Sequence, residues 1–342
     1  MFSVSRKSTI PTTFVHVVDK TMRQTRHANA PKKPPNSSSM IIPPFLKPGD
    51  TVGVVAPASH FEYQDLQPGL AILRDQWHLN VIEGESLQAR SGPFAGSDDL
   101  RRRDLQQLFD NPDVRAVLAA RGGYGSYRIA DSLDLTGLIR HPKWLVGFSD
   151  ITVLLSLLVG HGVACLHGIM PRGFAKDTTG ESIENLRQWL FGEHHTPYQL
   201  PPHPLNRAGQ TTAPVVGGNL TLLINSLGTP TDLDYTGKIL FIEDIDETLF
   251  SLDRMMHHLR RSGRLAGLAG LVVGQFTDMV TSLSLPFGLS PDEIIAQAVA
   301  GYDFPVCYGL PSGHDTPNWT LPIGLPATLT VAETGAALHW AL

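Results

Sequence analysis

The chain has 342 residues, of which 42% are hydrophobic and 17% charged, and its formal net charge is -5. This length predicts about two domains of roughly 150 residues each, and the apolar fraction excludes a chain that is disordered throughout. The acidic balance argues against a protein that neutralises nucleic-acid phosphates. Two cysteines are too few for a disulfide framework, which favours a reducing compartment, and no apolar run reaches the ~18 residues of a membrane span.

The first 39 residues differ from the rest of the chain. They hold seven Lys or Arg and one acidic residue, and they end in a Pro-, Lys- and Ser-rich stretch that cannot form a packed element. They also lack the apolar core of a secretory signal. We therefore interpret residues 1–39 as a disordered basic tail. An organelle transit segment is the alternative, as is a start codon upstream of a true start at Met40.

From Met40 onward, strand-like and helix-like segments alternate, which predicts an α/β fold with a parallel sheet covered by helices. Ser97 is the expected N-cap of one helix, because Asp98 and Asp99 follow it in the first turn. The predicted strands of this half are 51–56, 80–83, 115–120, 144–148 and 163–166. Helices are predicted over 70–77, from Ser97 to near Asn111-Pro112, after the glycine-rich turn that follows Ala120, from Asp150, and over 181–191.

The second half of the chain is predicted to be a separate α+β domain. Residues 195–214 contain five prolines and a single charged residue, Arg207, and are predicted to be an interdomain linker. The run Ser290-Pro291-Asp292-Glu293 is a capping box with proline at the first helical position. Other helices are predicted from 219 and over 249–261, and strands over 238–243, 268–275 and in short pieces from 306 to the end.

The first stretch whose residues could take part in a reaction is Gly147-Phe148-Ser149-Asp150. An apolar strand leads directly into the serine, and a helix follows at once. Open α/β sheets bind ligands at this edge, and a helix N-terminus supplies free N–H groups for an oxyanion. The arrangement is typical of a nucleophile elbow, although position 151 is isoleucine where that motif has glycine. The alternative is that Ser149 only caps its helix.

The second stretch is Arg121-Gly122-Gly123-Tyr124-Gly125, again between a strand and a helix. Glycines allow backbone N–H groups to approach a ligand closely. The pattern is neither a dinucleotide fingerprint nor a P-loop. Two interpretations remain, a tight turn of the sheet and a backbone oxyanion donor beside Ser149.

A candidate acid lies at the end of a third stretch, the apolar strand that finishes at Glu243. A carboxylate in that position is costly to bury without a partner. The partner could be a structural arginine such as Arg254, or a histidine that the carboxylate orients, as in a catalytic triad. Asp244 and Asp246 are rival acids that the sequence does not eliminate.

A candidate base is His314, which stands out among 14 histidines because it lies on a Gly- and Pro-rich loop directly after a strand. Most of the other histidines are expected to be surface or core residues. Cys165 and His167 lie close in sequence but lack the further ligands that zinc needs, so we predict no metal site.

Together these stretches resemble the LD-carboxypeptidase family of serine peptidases, which also includes the microcin C self-immunity peptidases. Each motif is weak alone, but their order and spacing across two domains are specific. The resemblance extends from Gly49 to about Gly324 and includes Gly49-Asp50-Thr51-Val52-Gly53-Val54-Val55-Ala56-Pro57-Ala58-Ser59, Arg121-Gly122-Gly123-Tyr124-Gly125, Gly147-Phe148-Ser149-Asp150, Gly217-Gly218-Asn219-Leu220, Ile242-Glu243-Asp244 and Gly313-His314.

The resemblance implies a Ser-Glu-His triad. Ser149 would be the nucleophile, His314 the general base and Glu243 the acid that orients the histidine. The backbone N–H groups of Gly122 and Asp150 would form the oxyanion hole. The implied fold is a flavodoxin-like domain over 40–194 and a smaller α+β domain over 215–342, with the active site between them.

The implied reaction removes the terminal D-alanine from peptidoglycan-derived tetrapeptides during murein recycling, by cutting a bond between an L-centre and a D-residue. Arg121, Gly123 and Tyr124 are expected to contact the substrate, and Arg121 or Arg172 to bind its terminal carboxylate. The protein is expected to be a cytoplasmic homodimer that uses no cofactor and binds neither nucleic acid nor membrane.

Two other functions are open at this point. A microcin C-like amidase that cleaves peptide–nucleotide conjugates would need an aromatic side chain to stack on the base, for which Trp144 and Trp189 are available. A protein without catalytic activity could instead hold an anion at the glycine-rich turn and at the helix that follows Ser149.

Overall fold

The computed structural model describes residues 40–194, 196–281 and 285–341. The predicted tail, 1–39, and the first residue of the predicted linker, His195, lie outside the described residues. Within the described ranges, no helix combines the length and the apolar character that crossing a membrane requires.

The chain alternates between strands and helices as the sequence predicts. The strands are β1 (Thr51–Val55), β2 (Asn80–Glu83), β3 (Val114–Ala119), β4 (Trp144–Gly147), β5 (Cys165–His167), β6 (Tyr198–Leu200), β7 (Gly209–Asn219), β8 (Ile239–Ile245), β9 (Gly270–Thr277), β10 (Val306–Cys307), β11 (Leu321–Ile323), β12 (Pro326–Ala332) and β13 (Gly335–His339). The helices are α1 (Gln67–Ala71), α2 (Asp98–Asp110), α3 (Tyr127–Ala130), α4 (Thr136–Arg140), α5 (Thr152–Gly160), α6 (Glu181–Phe191), α7 (Leu220–Ser226), α8 (Leu249–Arg261) and α9 (Pro291–Ala298).

The first sheet has the order β11-β5-β4-β3-β1-β2. Strands β1 to β5 are parallel, and β11 joins the edge antiparallel to β5. The order 2-1-3-4-5 is that of flavodoxin-like sheets, so the predicted α/β fold with a flavodoxin-like N-terminal domain is confirmed. Ligands of such sheets bind outside the carboxyl ends of the strands. The loops that follow β3 and β4 leave the sheet at that edge.

The second sheet has the order β10-β9-β8-β7-β12-β13-β6 and combines two kinds of pairing. Strands β7 to β10 are parallel and are connected by α7, α8 and α9, whereas β12, β13 and β6 are antiparallel. Strand β8 is the second strand of the parallel half, and its first six residues are all buried. Two acidic residues, Glu243 and Asp244, therefore lie at the carboxyl end of an otherwise apolar strand, at the edge of the sheet where ligands bind.

The prediction that residues 195–214 form a linker is wrong for two of its segments. Strand β6 and the first part of β7 lie within this range and belong to the second sheet. Strand β6 pairs with β13 and β7 pairs with β12. The prolines around β6 are compatible with this arrangement because β6 is an edge strand. Arg207 is also structural, since its guanidinium donates to the carbonyls of Val299, Tyr302 and Phe304.

Helix α5 lies between the two sheets and fixes where the chain leaves β4. All of its residues from 152 to 159 are buried, which explains a helix that is apolar on every side. Its first residue, Thr152, accepts a hydrogen bond from the backbone N–H of Asn219 at 3.1 Å. A Cβ on Gly218 would lie 2.7 Å from Thr152 Oγ1. Glycine at 218 thus permits the close approach of β7 to the start of α5.

Candidate active site

Ser149 lies in a strained turn between β4 and α5. Its φ is +61°, in the left-handed region that L-residues other than Asn and Asp rarely adopt. Neither the short 3₁₀ turn at Ser149–Ile151 nor α5 has a side-chain N-cap, so the alternative that Ser149 caps its helix is wrong. A Cβ at Gly147 would lie 2.8 Å from Ile151 Cγ2. The turn is as sharp as the strand-to-helix turn of a nucleophile elbow, and Ser149 is partly exposed there.

Ser149 and His314 line one cavity, with a volume of about 540 Å³. Cations from the first domain and carboxylates from the second domain face each other across it. The cations are Arg121, Arg172 and Lys176, and the carboxylates are Asp246 and Asp315.

Glu243 and His314 form a hydrogen-bonded pair beside Ser149. The distance between Glu243 Oε2 and His314 Nδ1 is 2.8 Å, and the Glu243 side chain is fully buried. This bond leaves Nε2 as the histidine nitrogen available to a hydroxyl group. The Phe148 ring lies 4.9 Å from the His314 ring in an edge-to-face arrangement, so the residue before Ser149 also supports the imidazole.

In the described part of the chain, Ser149 Oγ makes no hydrogen bond to His314. Both residues instead contribute to the wall of the same cavity and flank Phe148. Catalytic hydrogen bonds are often long in an enzyme without substrate and shorten when the substrate binds. The arrangement therefore fits a nucleophile and a base that meet over a bound substrate.

The pKa of His314 is set by opposing effects. Burial disfavours the charged imidazolium, but the hydrogen bond to Glu243 and the negative charges of Glu243, Asp244 and Asp315 outweigh it, so the pKa of His314 is raised above its ordinary 6.5. A raised pKa favours proton acceptance from a hydroxyl group. It also means that His314 can act as a base only at a pH above its raised pKa.

The rival acids have other partners. Asp244 accepts hydrogen bonds from Asn219 Nδ2 at 2.8 Å and from the N–H of Thr221 at 3.0 Å, which fixes the start of α7. Asp246 faces the cavity but has no hydrogen bond to His314 among the residues described. The suggested pairing of Glu243 with Arg254 is wrong, because Arg254 donates to Ser251. Glu243 is thus the acid that the fold brings to the histidine.

Two residues that sequence reasoning missed hold the loop of His314. Asn318 Oδ1 accepts from the N–H of Gly313 at 3.2 Å, and Gln275 Oε1 accepts from the N–H of Asp315 at 2.9 Å. Gly313 has a φ of +146°, and a Cβ there would lie 2.9 Å from Gln275 Cβ. Nothing in the sequence around 275 or 318 marks these contacts, because they depend on tertiary packing.

The glycine-rich loop after β3 packs against the turn of Ser149. A Cβ on Gly122 would lie 3.1 Å from Ser149 Cβ and 3.3 Å from the backbone N of Asp150. The Asp150 carboxylate is buried, accepts from the N–H of Ser126 at 2.8 Å, and has a pKa that burial raises. Asp150 therefore ties the two loops together through its side chain.

The predicted substrate contacts divide between two cavities. Arg121 and Gly123 line the cavity of Ser149, and Arg121 donates to the carbonyl of His60 at 3.0 Å. Arg172 lines it too and pairs with Asp65 at 2.9 Å. The structure does not bring the Tyr124 ring there, because Tyr124 lines a separate cavity of about 520 Å³. Across the described residues, no group of three or more His, Cys, Asp or Glu side chains is arranged to hold a metal ion.

Two family models match the chain. The LD-carboxypeptidase N-terminal domain matches residues 52–168, and the LD-carboxypeptidase C-terminal domain matches residues 212–329. The chain belongs to the LD-carboxypeptidase family. It is therefore a serine-type peptidase, as the resemblance implied, and the two matched segments contain Ser149 and the pair Glu243 and His314 respectively.

Relatives of the chain match it over most of its length. The probable murein peptide carboxypeptidase of Bacillus subtilis is 36% identical, over 87% of this chain and 94% of the relative. The murein tetrapeptide carboxypeptidase of Pseudomonas aeruginosa is 32% identical, over 84% and 94%. The crystal structure of muramoyltetrapeptide carboxypeptidase from Oxalobacter formigenes superposes with a TM-score of 0.77 at 30% identity, and covers 85% of this chain and 99% of that one.

Proposed function

We propose that the protein removes the terminal D-alanine from peptidoglycan-derived tetrapeptides, with Ser149 as nucleophile, His314 as general base and Glu243 as the acid that orients it. The observation that carries the proposal is the 2.8 Å hydrogen bond between Glu243 and His314 at a cavity that Ser149 also lines. The names of the relatives, murein peptide and murein tetrapeptide carboxypeptidase, support the substrate.

The reaction begins with proton transfer, because a serine hydroxyl is a weak nucleophile at its free pKa. His314 Nε2 takes the proton as Ser149 Oγ attacks the carbonyl of the last peptide bond. Glu243 stabilises the imidazolium that results. The negative charge moves to the carbonyl oxygen, which accepts hydrogen bonds from the backbone N–H groups of Gly122 and Asp150. The loss of one such donor typically lowers the rate by ~10²–10³.

The second half of the reaction regenerates the enzyme. His314 gives its proton to the amine of the leaving D-alanine, which breaks the peptide bond and leaves an ester between Ser149 and the shortened peptide. Water then attacks this ester while His314 accepts the proton of the water. The proton finally returns to Ser149 Oγ as the peptide leaves.

Recognition of the free carboxylate makes the enzyme a carboxypeptidase, and we assign it to the cationic side of the cavity. Arg121 and Arg172 both line that side, and a guanidinium can bind a carboxylate in bidentate fashion. A peptide with an amidated C-terminus is therefore expected to be a poor substrate. Its KM should rise more than its kcat falls.

The nucleotide-conjugate alternative lacks its predicted stacking residues. The exposed fractions of Trp144 and Trp189 are 1% and 2%, so neither ring offers a face to a nucleobase. The deciding experiment incubates the purified chain with a murein tetrapeptide and quantifies free D-alanine. Ser149→Ala, His314→Ala and the control Ser91→Ala, an exposed serine outside the cavity, are assayed in parallel. Activity that survives in Ser149→Ala refutes the assignment of the nucleophile, and binding without turnover favours the anion-binding alternative.

The remaining expectations concern the setting of the enzyme. We propose a cytoplasmic homodimer that acts on muropeptides without a cofactor and binds neither nucleic acid nor membrane. Light scattering during size-exclusion chromatography measures the oligomeric state. Fractionation of expressing cells measures the location, and a monomer or a membrane-associated pool contradicts the respective expectation.

A further inference from the structure

His167 is a buried histidine that the proposed reaction does not use. It lies on β5, where it pairs with Gly147 of β4 and with Leu321 of β11, and its exposed fraction is 0%. Within the described ranges, neither of its ring nitrogens has a hydrogen-bond partner. Buried polar groups without partners are rare in folded proteins, so this imidazole requires an explanation.

His167 belongs to a row of four rings that connects the two domains beneath the cavity. Its ring lies 5.0 Å from Phe241 of β8 and 5.8 Å from Phe148. Phe148 in turn lies 4.9 Å from His314. The row therefore extends from Phe241, on the strand that carries Glu243, through His167 and Phe148 to His314.

Glu243 has an unsatisfied oxygen close to this row. Its Oε2 is bonded to His314, but its Oε1 is buried and has no partner among the described residues. Side chains alternate along a strand, so Glu243 and Phe241 project from the same face of β8, and the Phe241 ring on that face contacts His167. A buried carboxylate oxygen without a hydrogen bond is costly. The His167 N–H is a buried donor on that side without a partner.

We propose that His167 is a positioning residue whose N–H binds Glu243 Oε1 through one internal water, and so holds the carboxylate in the orientation that His314 requires. Internal waters of this kind make about three hydrogen bonds to buried polar groups. Thr320 Oγ1 is a third group of that type: it is buried, has no described partner, and lies 2.6 Å from where a Cβ of Gly168 would be.

The charges around the site are consistent with this role. Burial and the nearby charge of His314 lower the pKa of His167 to about 3, so its ring stays neutral and always carries one N–H. The acidic groups that raise the pKa of His314 are Glu243 and Asp244 from β8 and Asp315 from its own loop. His167 lies near it from the first sheet. The other charged groups that line the cavity of His314 are Asp246, Arg121, Arg172 and Lys176.

The inference rests on the proposed triad, and the experiment separates the two. His167→Phe keeps an aromatic ring but removes the N–H, whereas His167→Asn and His167→Gln each retain an N–H donor. The measurements are kcat, KM and the pH profile of D-alanine release from the tetrapeptide, and Tm by calorimetry. Ser149→Ala, assayed beside them, tests the triad itself, since activity in that variant refutes the proposed function whatever the His167 variants do.

We expect His167→Phe to lower kcat at least about 10-fold with little change in KM and with Tm nearly unchanged, because the packing of the ring is kept and one water-mediated hydrogen bond contributes little to stability. The acidic limb of the profile should move to higher pH, since a carboxylate that has lost a donor retains the proton shared with His314 more tightly. Either His167→Asn or His167→Gln should recover part of the lost kcat and move the acidic limb of the pH profile back towards its wild-type position. His167→Leu replaces His167→Phe if the phenylalanine variant does not fold.

Two results overturn the proposal. One is that His167→Phe has the same kcat and the same acidic limb of the pH profile as the wild type. The other is an equal loss of kcat in all three variants together with a lower Tm, which indicates a packing role. Cys165→Ala is the matched control, because Cys165 is buried on the same strand and projects from the same face. It should change Tm alone.

Discussion

Replacement of Glu243 by Gln tests the electrostatics of the candidate triad most directly. Glutamine has nearly the same shape, so the change removes a buried negative charge 2.8 Å from His314 with little loss of packing. That charge stabilises the imidazolium formed during the attack. Loss of the acid in a comparable triad costs about 10⁴ in kcat, and each factor of ten corresponds to about 1.4 kcal/mol. We therefore expect a loss of about 10²–10⁴ in kcat/KM.

The pH profile of Glu243→Gln is the more specific measurement. In the wild type, burial lowers the pKa of His314, and Glu243 is the principal cause that raises it above 6.5. Without Glu243, burial dominates, and the pKa should fall below 6.5. The acidic limb of kcat/KM should therefore move from above pH 6.5 to below it. The assay is D-alanine release measured at saturating and limiting tetrapeptide across the range.

Stability provides an independent check with a defined sign. A histidine whose folded pKa is raised contributes stability that is fully present below its unfolded pKa and is lost as the pH rises through the folded pKa. The Tm difference between the wild type and Glu243→Gln should therefore shrink as the pH increases above 6.5. An unmoved acidic limb, or a Tm difference that does not depend on pH, refutes the assignment of Glu243 as the partner of His314.

Three further predictions concern the supports of the site and of the fold. Lys143 donates to three carbonyls at the end of α2, so Lys143→Met should lower the free energy of unfolding by about 3 kcal/mol with kcat unchanged. Gly313→Ala should lower kcat at least about 10-fold, because its Cβ collides with the support of the His314 loop. Burial raises the pKa of Asp244 to about 6, and a raised acid pKa means stability lost as the pH rises from 4 towards 6. Asp244→Asn should abolish that dependence.

Each of these predictions has either a control variant or a result that would contradict it. Urea unfolding measures the effect of Lys143→Met, and a loss of kcat at full folding would show that this lysine acts on the site. Gly309→Ala is the control for Gly313→Ala, because both glycines have positive φ but a Cβ at 309 meets nothing within 4 Å. For Asp244, equal slopes of unfolding free energy against pH in wild type and variant contradict the assignment.

Local signals in the sequence predicted the helix starts well. Ser97 caps α2 through a hydrogen bond from the N–H of Leu100, Asn219 caps α7, and Ser290 forms the complete capping box of α9. A cap depends on residues three positions apart, so its chemistry is visible in the sequence. The alternation of strands and helices likewise sufficed for the parallel sheet of the first domain.

Pairing between distant segments could not be predicted in the same way. Strand β6 has three residues and pairs with β13, and β11 leaves the second domain to join the edge of the first sheet. Each strand is too short for its own pattern to identify it. At the site, the same limit applies to Gln275, which holds the loop of His314 through a contact across 40 residues. Asn318 is only five residues from Gly313, but its contact depends on the folded shape of that loop and not on a local motif.

The proposed nucleophile, Ser149, and the proposed base, His314, come from different sheets, so the proposed reaction depends on how firmly the two sheets are joined. The contacts that join them near Ser149 include the pairing of β11 with the first sheet, the hydrogen bond of Thr152 to the backbone of Asn219, and the packing of Phe148 on His314. Glycine at 218 lets β7 come that close, because a Cβ would lie 2.7 Å from Thr152 Oγ1. Since a small displacement of reacting groups reduces rates strongly, residues at this seam should affect kcat without touching the substrate.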